Sequence, residues 1–340
     1  MSAARRLPRL PVLLLLAAAA HAKVFDDARV AVPFLKIGQG ARAAGMGEAF
    51  TAVADDATAV FWNPAGLAQL NRLHFQFTHN QWIDDFRQES FAVAAPWGGT
   101  WALAYSMLDL GTFTEMDATN AATGRSYAVS DQVLQAGFGR SFSSDTIMTG
   151  AAVKLVKEDL DGGLHGQAAS FAAGVLAVPL FQDPRLTFAA VVENAGGQLS
   201  GFRLPLTGRL GVAWRKLGVF AGAPADTETG LEREARRTSR YPWDVESAVT
   251  DSLTAASDVV LPLRGRSEWH VGLEYWLSVF AVRAGYRFRF PRNDLGGPSG
   301  VTLGAGVRGR GFQFDYGFDA SFAPYGELGN ASRFSLIVSF

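Results

Sequence analysis

The chain contains no cysteine in its 340 residues. That excludes disulfides, thiol nucleophiles, thiolate metal sites and a lipidated N-terminal cysteine. After the first residues it also lacks any apolar run of about twenty residues, the length a helix needs to cross a bilayer. Formal net charge is only −1, so no bulk attraction to nucleic acid follows. Histidine is scarce, and His74, His79, His165 and His270 show no metal-ligand spacing. No G-x-S-x-G nucleophile elbow is present. One motif with possible chemistry remains. Gly38-Gln39-Gly40-Ala41-Arg42-Ala43 fits G-x-G-x-x-A, with Asp55 or Asp56 downstream as a ribose acid. It would bind a dinucleotide only inside a βαβ unit. Pro33 interrupts the preceding strand and no parallel α/β pattern follows. Nothing therefore points to an enzyme, a metal or a cofactor.

Glycine and phenylalanine are abundant, at 37 and 25 residues, a composition neither disordered nor that of a helical membrane protein. Residues 1–22 read as a signal peptide. Arg5, Arg6 and Arg9 precede the apolar stretch Val12 to Ala20, and Ala20-His21-Ala22 is an A-x-A cleavage site. The alternative is a short N-terminal membrane anchor. An exported, apolar chain without helical spans is soluble periplasmic, secreted, or a β-barrel.

From Arg72 onward apolar residues alternate with period two, the strand signal. In 280–290 one face is Phe280, Val282, Ala284, Tyr286, Phe288 and Phe290, and Arg283, Arg287 and Arg289 lie on the other. In 312–322 Phe312, Phe314, Tyr316, Phe318 and Phe322 alternate with Gln313, Asp315 and Asp319. These runs approach the roughly 9–11 residues that a tilted strand needs to cross a bilayer. Aromatics cluster on the apolar face, as lipid-facing girdles require. The alternating runs predict about fourteen strands, an even number as a closed barrel needs. Their spans are 72–80, 88–96, 99–109, 130–142, 146–158, 165–178, 185–195, 206–216, 252–262, 267–276, 279–290, 299–309, 312–322 and 331–340. A turn at Leu277-Ser278 would set Glu268 opposite Arg287 and Gly272 opposite Arg283; one at Arg310-Gly311 would set Arg308 opposite Gln313. The connections 110–129, 196–205, 291–298 and 323–330 are predicted to be long loops on one side. The long, charged connection 217–251 falls on the short-turn side, as a solvated loop with a short helix or as a docking site for a partner.

Residues 34–68 break the pattern. They are rich in glycine and alanine and carry two helix starts. Asp55 and Asp56 precede the apolar run Ala57 to Trp62, where a carboxylate can cap free N–H groups. Asn63 followed by Pro64 reads as a second cap with proline at the first helical position. The expected organisation is thus a signal peptide (1–22), a compact helical segment (23–70) packed inside something else, and an antiparallel transmembrane β-barrel (71–340).

This segment resembles the N-terminal signature of the PorV/PorQ family, within the FadL-like outer-membrane barrels. The matching residues are Phe34 to Gly38, then Gly40 to Gly47 with Arg42, Gly45 and Met46, then Ala54 to Ala57 with Asp55 and Asp56, then Trp62 to Leu67 with Asn63, Pro64, Ala65 and Gly66. A second match is 326–330, leading into the last strand. The resemblance implies that the segment is a plug, or hatch, in the barrel. It implies either an adaptor that handles secreted cargo proteins with type IX secretion components, or a FadL-like channel for hydrophobic ligands. On the polar face of the wall Glu268, His270, Glu274, Arg283 and Arg287 form the best constellation, as a charge ladder that stiffens the wall or as a ligand site. The last strand alternates Phe334, Leu336, Val338 and Phe340 with polar residues and resembles the C-terminal signal that barrels present to their assembly machinery. The implied location is the bacterial outer membrane, in contact with its lipid.

Overall fold

The computed structural model describes residues 30–81, 86–117, 119–142, 146–159, 165–178, 185–199, 201–217, 251–290, 300–320 and 331–340. Residues 1–22, predicted to be a signal peptide, the interior of the 217–251 connection, and the loops 291–298 and 323–330, including the 326–330 match, lie outside the described residues.

The strands are β1 (His74–Gln81), β2 (Arg87–Pro96), β3 (Thr100–Met116), β4 (Ala122–Phe142), β5 (Ile147–Asp159), β6 (His165–Ala177), β7 (Leu186–Ala195), β8 (Gln198–Leu199), β9 (Phe202–Arg203), β10 (Thr207–Leu217), β11 (Asp251–Pro262), β12 (Ser267–Leu277), β13 (Phe280–Phe290), β14 (Gly300–Gly309), β15 (Phe312–Asp319) and β16 (Ala331–Ser339). Fourteen of them form a closed antiparallel barrel in sequence order, and β8 pairs with β9 in a separate ribbon between β7 and β10. Closure comes from β1, which pairs with both β2 and β16. No edge is left open, as lipid demands of a spanning sheet.

The alternation read from sequence places the side chains. Phe77, Phe91, Tyr105, Leu134, Leu155, Phe171, Leu273, Val282, Leu303, Phe314 and Leu336 are exposed on the outer face. Such a row is costly in water and favourable against acyl chains. Phe334 and Phe340 are exposed as well, and Phe340 meets Phe75 edge-on at 6.0 Å.

Two expectations need correction. The turn between β12 and β13 lies at Ser278-Val279, with Ser278 at φ 55, so Glu268 pairs with Arg289, His270 with Arg287 and Glu274 with Arg283. Moving a turn by one residue shifts pairing by two, which keeps every side chain on its face. The second register stands, with Arg308 opposite Gln313. The stretch 110–129 is mostly a continuation of β3 and β4, which pair up to Met116 and Ala122 beyond an irregularity at Asp109–Thr112. Its many polar residues and its breaks in register interrupt the alternation and concealed it. Finally, the described part of β15 ends at Asp319, and Phe322 of the predicted span lies outside the described residues.

Residues 31–70 lie within the ring of strands. Short helices span Pro33–Lys36, Ala41–Gly45, Ala59–Trp62 and Pro64–Gln69. Helices this short have little intrinsic stability and depend on burial. Met46, Phe50, Val60, Trp62 and Leu67 are almost wholly buried, each contributing roughly 1.5–3 kcal/mol. Opposite them the wall presents small side chains: Ala92, Ala94, Ala102, Ala104, Ala152, Ala172, Ala189, Ala213 and Ala256 belong to the same cluster. The wall of β12–β16 instead points Glu274, Arg283, Arg287, Asp315, Asp319 and Arg333 inward, all buried. The interior is therefore apolar over much of β2–β11 and densely charged over β12–β16, where the sequence had placed its polar face.

Candidate functional site

The charged half of the wall is matched by charges on the inner segment. The helix Ala41–Gly45 starts against β16, where Ala41 N donates to Ser335 Oγ at 2.8 Å. This aims Arg42 at β12. Its Nε and Nη2 donate to the two Glu274 oxygens at 2.7 and 2.8 Å, a bidentate pair. Its Nη1 donates to Asp55, whose other oxygen accepts from Arg215 at 2.8 Å. Glu274 also accepts from Arg283 Nε at 2.7 Å, and Arg283 Nη1 lies 2.8 Å from Asp315. Two of the residues singled out on the wall, Glu274 and Arg283, thus meet two from the segment signature, Arg42 and Asp55.

Glu48 carries the opposite charge to the wall. It lies 3.2 Å from Arg333 and 3.5 Å from Arg287, and Arg287 also bonds Asp319. Burial works to raise the Glu48 carboxyl, but the guanidiniums of Arg287 and Arg333 outweigh it and hold it at about 2. Asp55 is likewise lowered, its burial outweighed by Arg42 and Arg215. Glu48 has φ 63, a left-handed conformation costing about 1–2 kcal/mol in a non-glycine residue. The two guanidinium contacts offset that cost. Of the remaining wall candidates, His270 Nε2 lies 2.9 Å from Glu268, and Arg289 donates to Glu268 at 2.9 Å. The predicted constellation is therefore split. Part of it binds Arg42, part binds Glu48, and its charges hold the inner segment as well as one another.

Between these anchors the chain turns at Met46-Gly47. A Cβ on Gly47, which has φ +64, would lie 2.8 Å from Tyr286 N and 2.9 Å from Val271 O. On the wall, a Cβ at Gly285 would fall 2.2 Å from Gly47 N. Gly45 packs as closely on Gly304, while Gly38 fits beside Glu48 and Trp62. Gly40 has φ +89 and Gly66 packs onto Ala54.

On the far side, Asn63 caps Pro64–Gln69 by accepting from Ala65 N at 3.1 Å and also donates to Thr51 O at 3.0 Å. Pro64 and Ala65 cross the wall over Gly150. The first predicted cap differs. The helix begins at Ala59, and Asp56 accepts from Thr58 N at 2.8 Å ahead of it. Burial pushes the Asp56 carboxyl up to about 6, with Arg42 drawing it down and Asp55 adding to the rise.

Several residues escaped the sequence reading. Asp258 accepts from the N–H groups of Phe50 and Thr51 at 2.9 and 2.8 Å. Arg209 lies 3.2 Å from Glu193 and 5.0 Å over the Trp62 ring, and Lys154 donates to Asn194 at 3.0 Å. Each lies in an alternating strand, and inward parity was the signal that could have found them.

The end of the barrel opposite the short turns holds the second apolar cluster. Val32 and Phe34, with Leu35 and Ile37 beside them, pack on Leu108, Val133, Val156, Leu199 and Leu204. A cavity of about 40 Å³ lies beneath, bordered by Phe34, Ile37, Trp62, Lys154 and Arg209. Lys154 and Arg209 place polar groups at the base of this apolar cluster, and the space itself is far below the roughly 300–1,000 Å³ of a small-molecule site.

Comparison with known proteins gives the fold a context. A family model described as an uncharacterised protein family (UPF0164) matches residues 15–163. No curated protein matches the chain. Among solved structures, the toluene transporter TbuX of Ralstonia pickettii superposes with a TM-score of 0.52 at 12% identity, over 89% of this chain and 97% of that one. The monoaromatic hydrocarbon channel CymD gives 0.53 at 11% identity, over 89% and 98%. A FadL homologue of Pseudomonas aeruginosa gives 0.50 at 11% identity, over the same shares. The fold is that of the FadL-type barrels.

Proposed function

We propose that the protein is an outer-membrane channel admitting hydrophobic small molecules, with residues 31–70 as its plug and residues 1–22 as a cleaved export signal. The observation that carries this reading is the apolar cluster of Val32 and Phe34 with the β3–β5 wall inside a closed, lipid-belted barrel. The fold shared with proteins described as a toluene transporter and a monoaromatic hydrocarbon channel supports it. A hydrophobic solute would enter this cluster by replacing apolar contacts with equivalent ones, at little cost in desolvation.

The test is uptake. The full-length chain, expressed in a Gram-negative host lacking such a channel, is expected to speed entry of radiolabelled toluene or oleate and to leave glucose entry unchanged. Equal rates with and without the protein would end the channel reading. The PorV/PorQ-like signature favours a second reading, an adaptor for secreted proteins. Stoichiometric recovery of secreted proteins sharing a C-terminal domain with the tagged barrel would put that reading in its place.

A further inference from the structure

At the end of the barrel that carries the short turns lies a cavity of about 300 Å³ between the inner segment and the wall. Guanidiniums reach its lining from three places in the chain: Arg72 ahead of β1, Arg308 at the end of β14 and Arg310 in the β14–β15 turn; Arg42 of the inner segment borders it too but is committed to Glu274 and Asp55. We propose that this cavity is a binding site for a phosphate group.

The argument begins with Arg308. Its Nη2 donates to Ser278 O at 3.1 Å and its guanidinium sits 4.3 Å over the Trp276 ring. The group is thus held in place before any ligand arrives, and less rotamer entropy is lost on binding. Arg310 is exposed in the turn, beside Gly311 at φ +76. Guanidinium forks match the oxygen spacing of phosphate and bind it through paired hydrogen bonds. Several forks converging from different segments suit a tetrahedral, multiply charged anion better than a flat carboxylate.

The acidic groups nearby are accounted for. Asp55 and Glu274 are engaged by Arg42. Asp315 accepts from Gln313, which also lines the cavity. Among the described residues Asp56 is the one carboxyl in the lining, and burial raises it to about 6, so it opposes an anion less than an ordinary aspartate would. The cavity also reaches Phe312, which is half-exposed on the outer face. A phosphate could therefore arrive free in solution or as the headgroup of a phospholipid in the adjoining leaflet. The site is independent of whether hydrophobic molecules cross the barrel.

The experiment uses the full-length protein in an uncharged, phosphate-free detergent and follows ³¹P NMR line widths. Inorganic phosphate and a short-chain phosphatidylglycerol are titrated separately and in competition, with acetate as a competitor. Broadening is expected to require about tenfold more phosphate in Arg308→Gln and Arg310→Gln, the loss typical of one charge-assisted hydrogen bond. It should not change in Arg140→Gln, a substitution on the outer face. Arg310 is exposed, so its variant reads the site even if Arg308→Gln fails to fold. Mutual competition between phosphate and lipid supports the site and makes the headgroup a source. Broadening by phosphate alone supports the site with the free ion as its source. Absence of broadening, equal behaviour of Arg310→Gln and Arg140→Gln, or displacement by acetate at equal concentration would overturn the proposal.

Discussion

The guanidinium of Arg42 holds both carboxylate oxygens of Glu274, at 2.7 and 2.8 Å, across 232 residues of sequence. Removing one member of a buried pair leaves the other charged and unsolvated, at about 3–5 kcal/mol. Arg283 still pairs with Glu274 and Arg215 with Asp55, so Arg42→Ala is expected to lower stability by less than that amount and to unseat the inner segment. The first effect is read from denaturant midpoints of the detergent-folded barrel. The second is read as ion conductance in planar bilayers, closed in the parent and raised in the variant. An unchanged conductance would show that the segment stays seated without this pair.

Steric contact makes a second prediction. Gly285→Ala places a methyl 2.2 Å from Gly47 N, against backbone that cannot rotate away. Overpacking of this kind costs roughly 1–3 kcal/mol, occasionally more. Limited proteolysis around residues 41–48 should speed up, while Ala284→Gly on the lipid face should leave cleavage unchanged.

Protonation sets a third. The Asp56 carboxyl titrates near 6 in the folded chain, against 3.8 for the ordinary group. Its folded value is raised, so its favourable contribution is full below about pH 4 and is lost as pH rises through 6. The difference of about two units corresponds to roughly 3 kcal/mol. Glu48 acts in the opposite sense and below that window: its contribution is present above 4.5 and lost as pH falls towards 2. Asp56→Asn should flatten the stability profile between pH 4 and 6 and leave the acid limb intact. Denaturation midpoints across that range check it.

The C-terminus gives a fourth. Phe340 N donates to Leu73 O at 3.0 Å, beside the β1–β16 closure, and its ring is exposed. Phe340→Ala should reduce the amount of assembled barrel in the outer membrane several-fold, seen as loss of the heat-modifiable band on gels. Normal assembly would show that the terminal aromatic is not needed for it.

The sequence revealed the strands because lipid on one side and a packed interior on the other impose a strict period of two. Within a few residues, the described strand ends follow the predicted spans except in β3 and β4. What stayed hidden was everything set by contact between distant segments. Opposite charges on β12 and β13 fixed the face of Glu274 and Arg283, but not that Arg42 would complete them. Asn63-Pro64 was legible because a cap is local. Asp258 was not, because its partners Phe50 and Thr51 lie 208 and 207 residues away. The apolar half of the interior was missed because alanine reads as a weak strand residue, not as clearance for another segment.

The charge matching also constrains the order of assembly. Arg42 and Glu48 are made early, and their partners on β12, β13 and β16 are made near the end. A ring of strands closed without the segment would enclose Glu274 without Arg42 and leave Arg287 and Arg333 without Glu48. Threading the segment in afterwards would drag charges past an alanine-lined wall. Last strands that fold around a segment already in place would instead satisfy these charges as they are buried, with the inner segment as their mandrel.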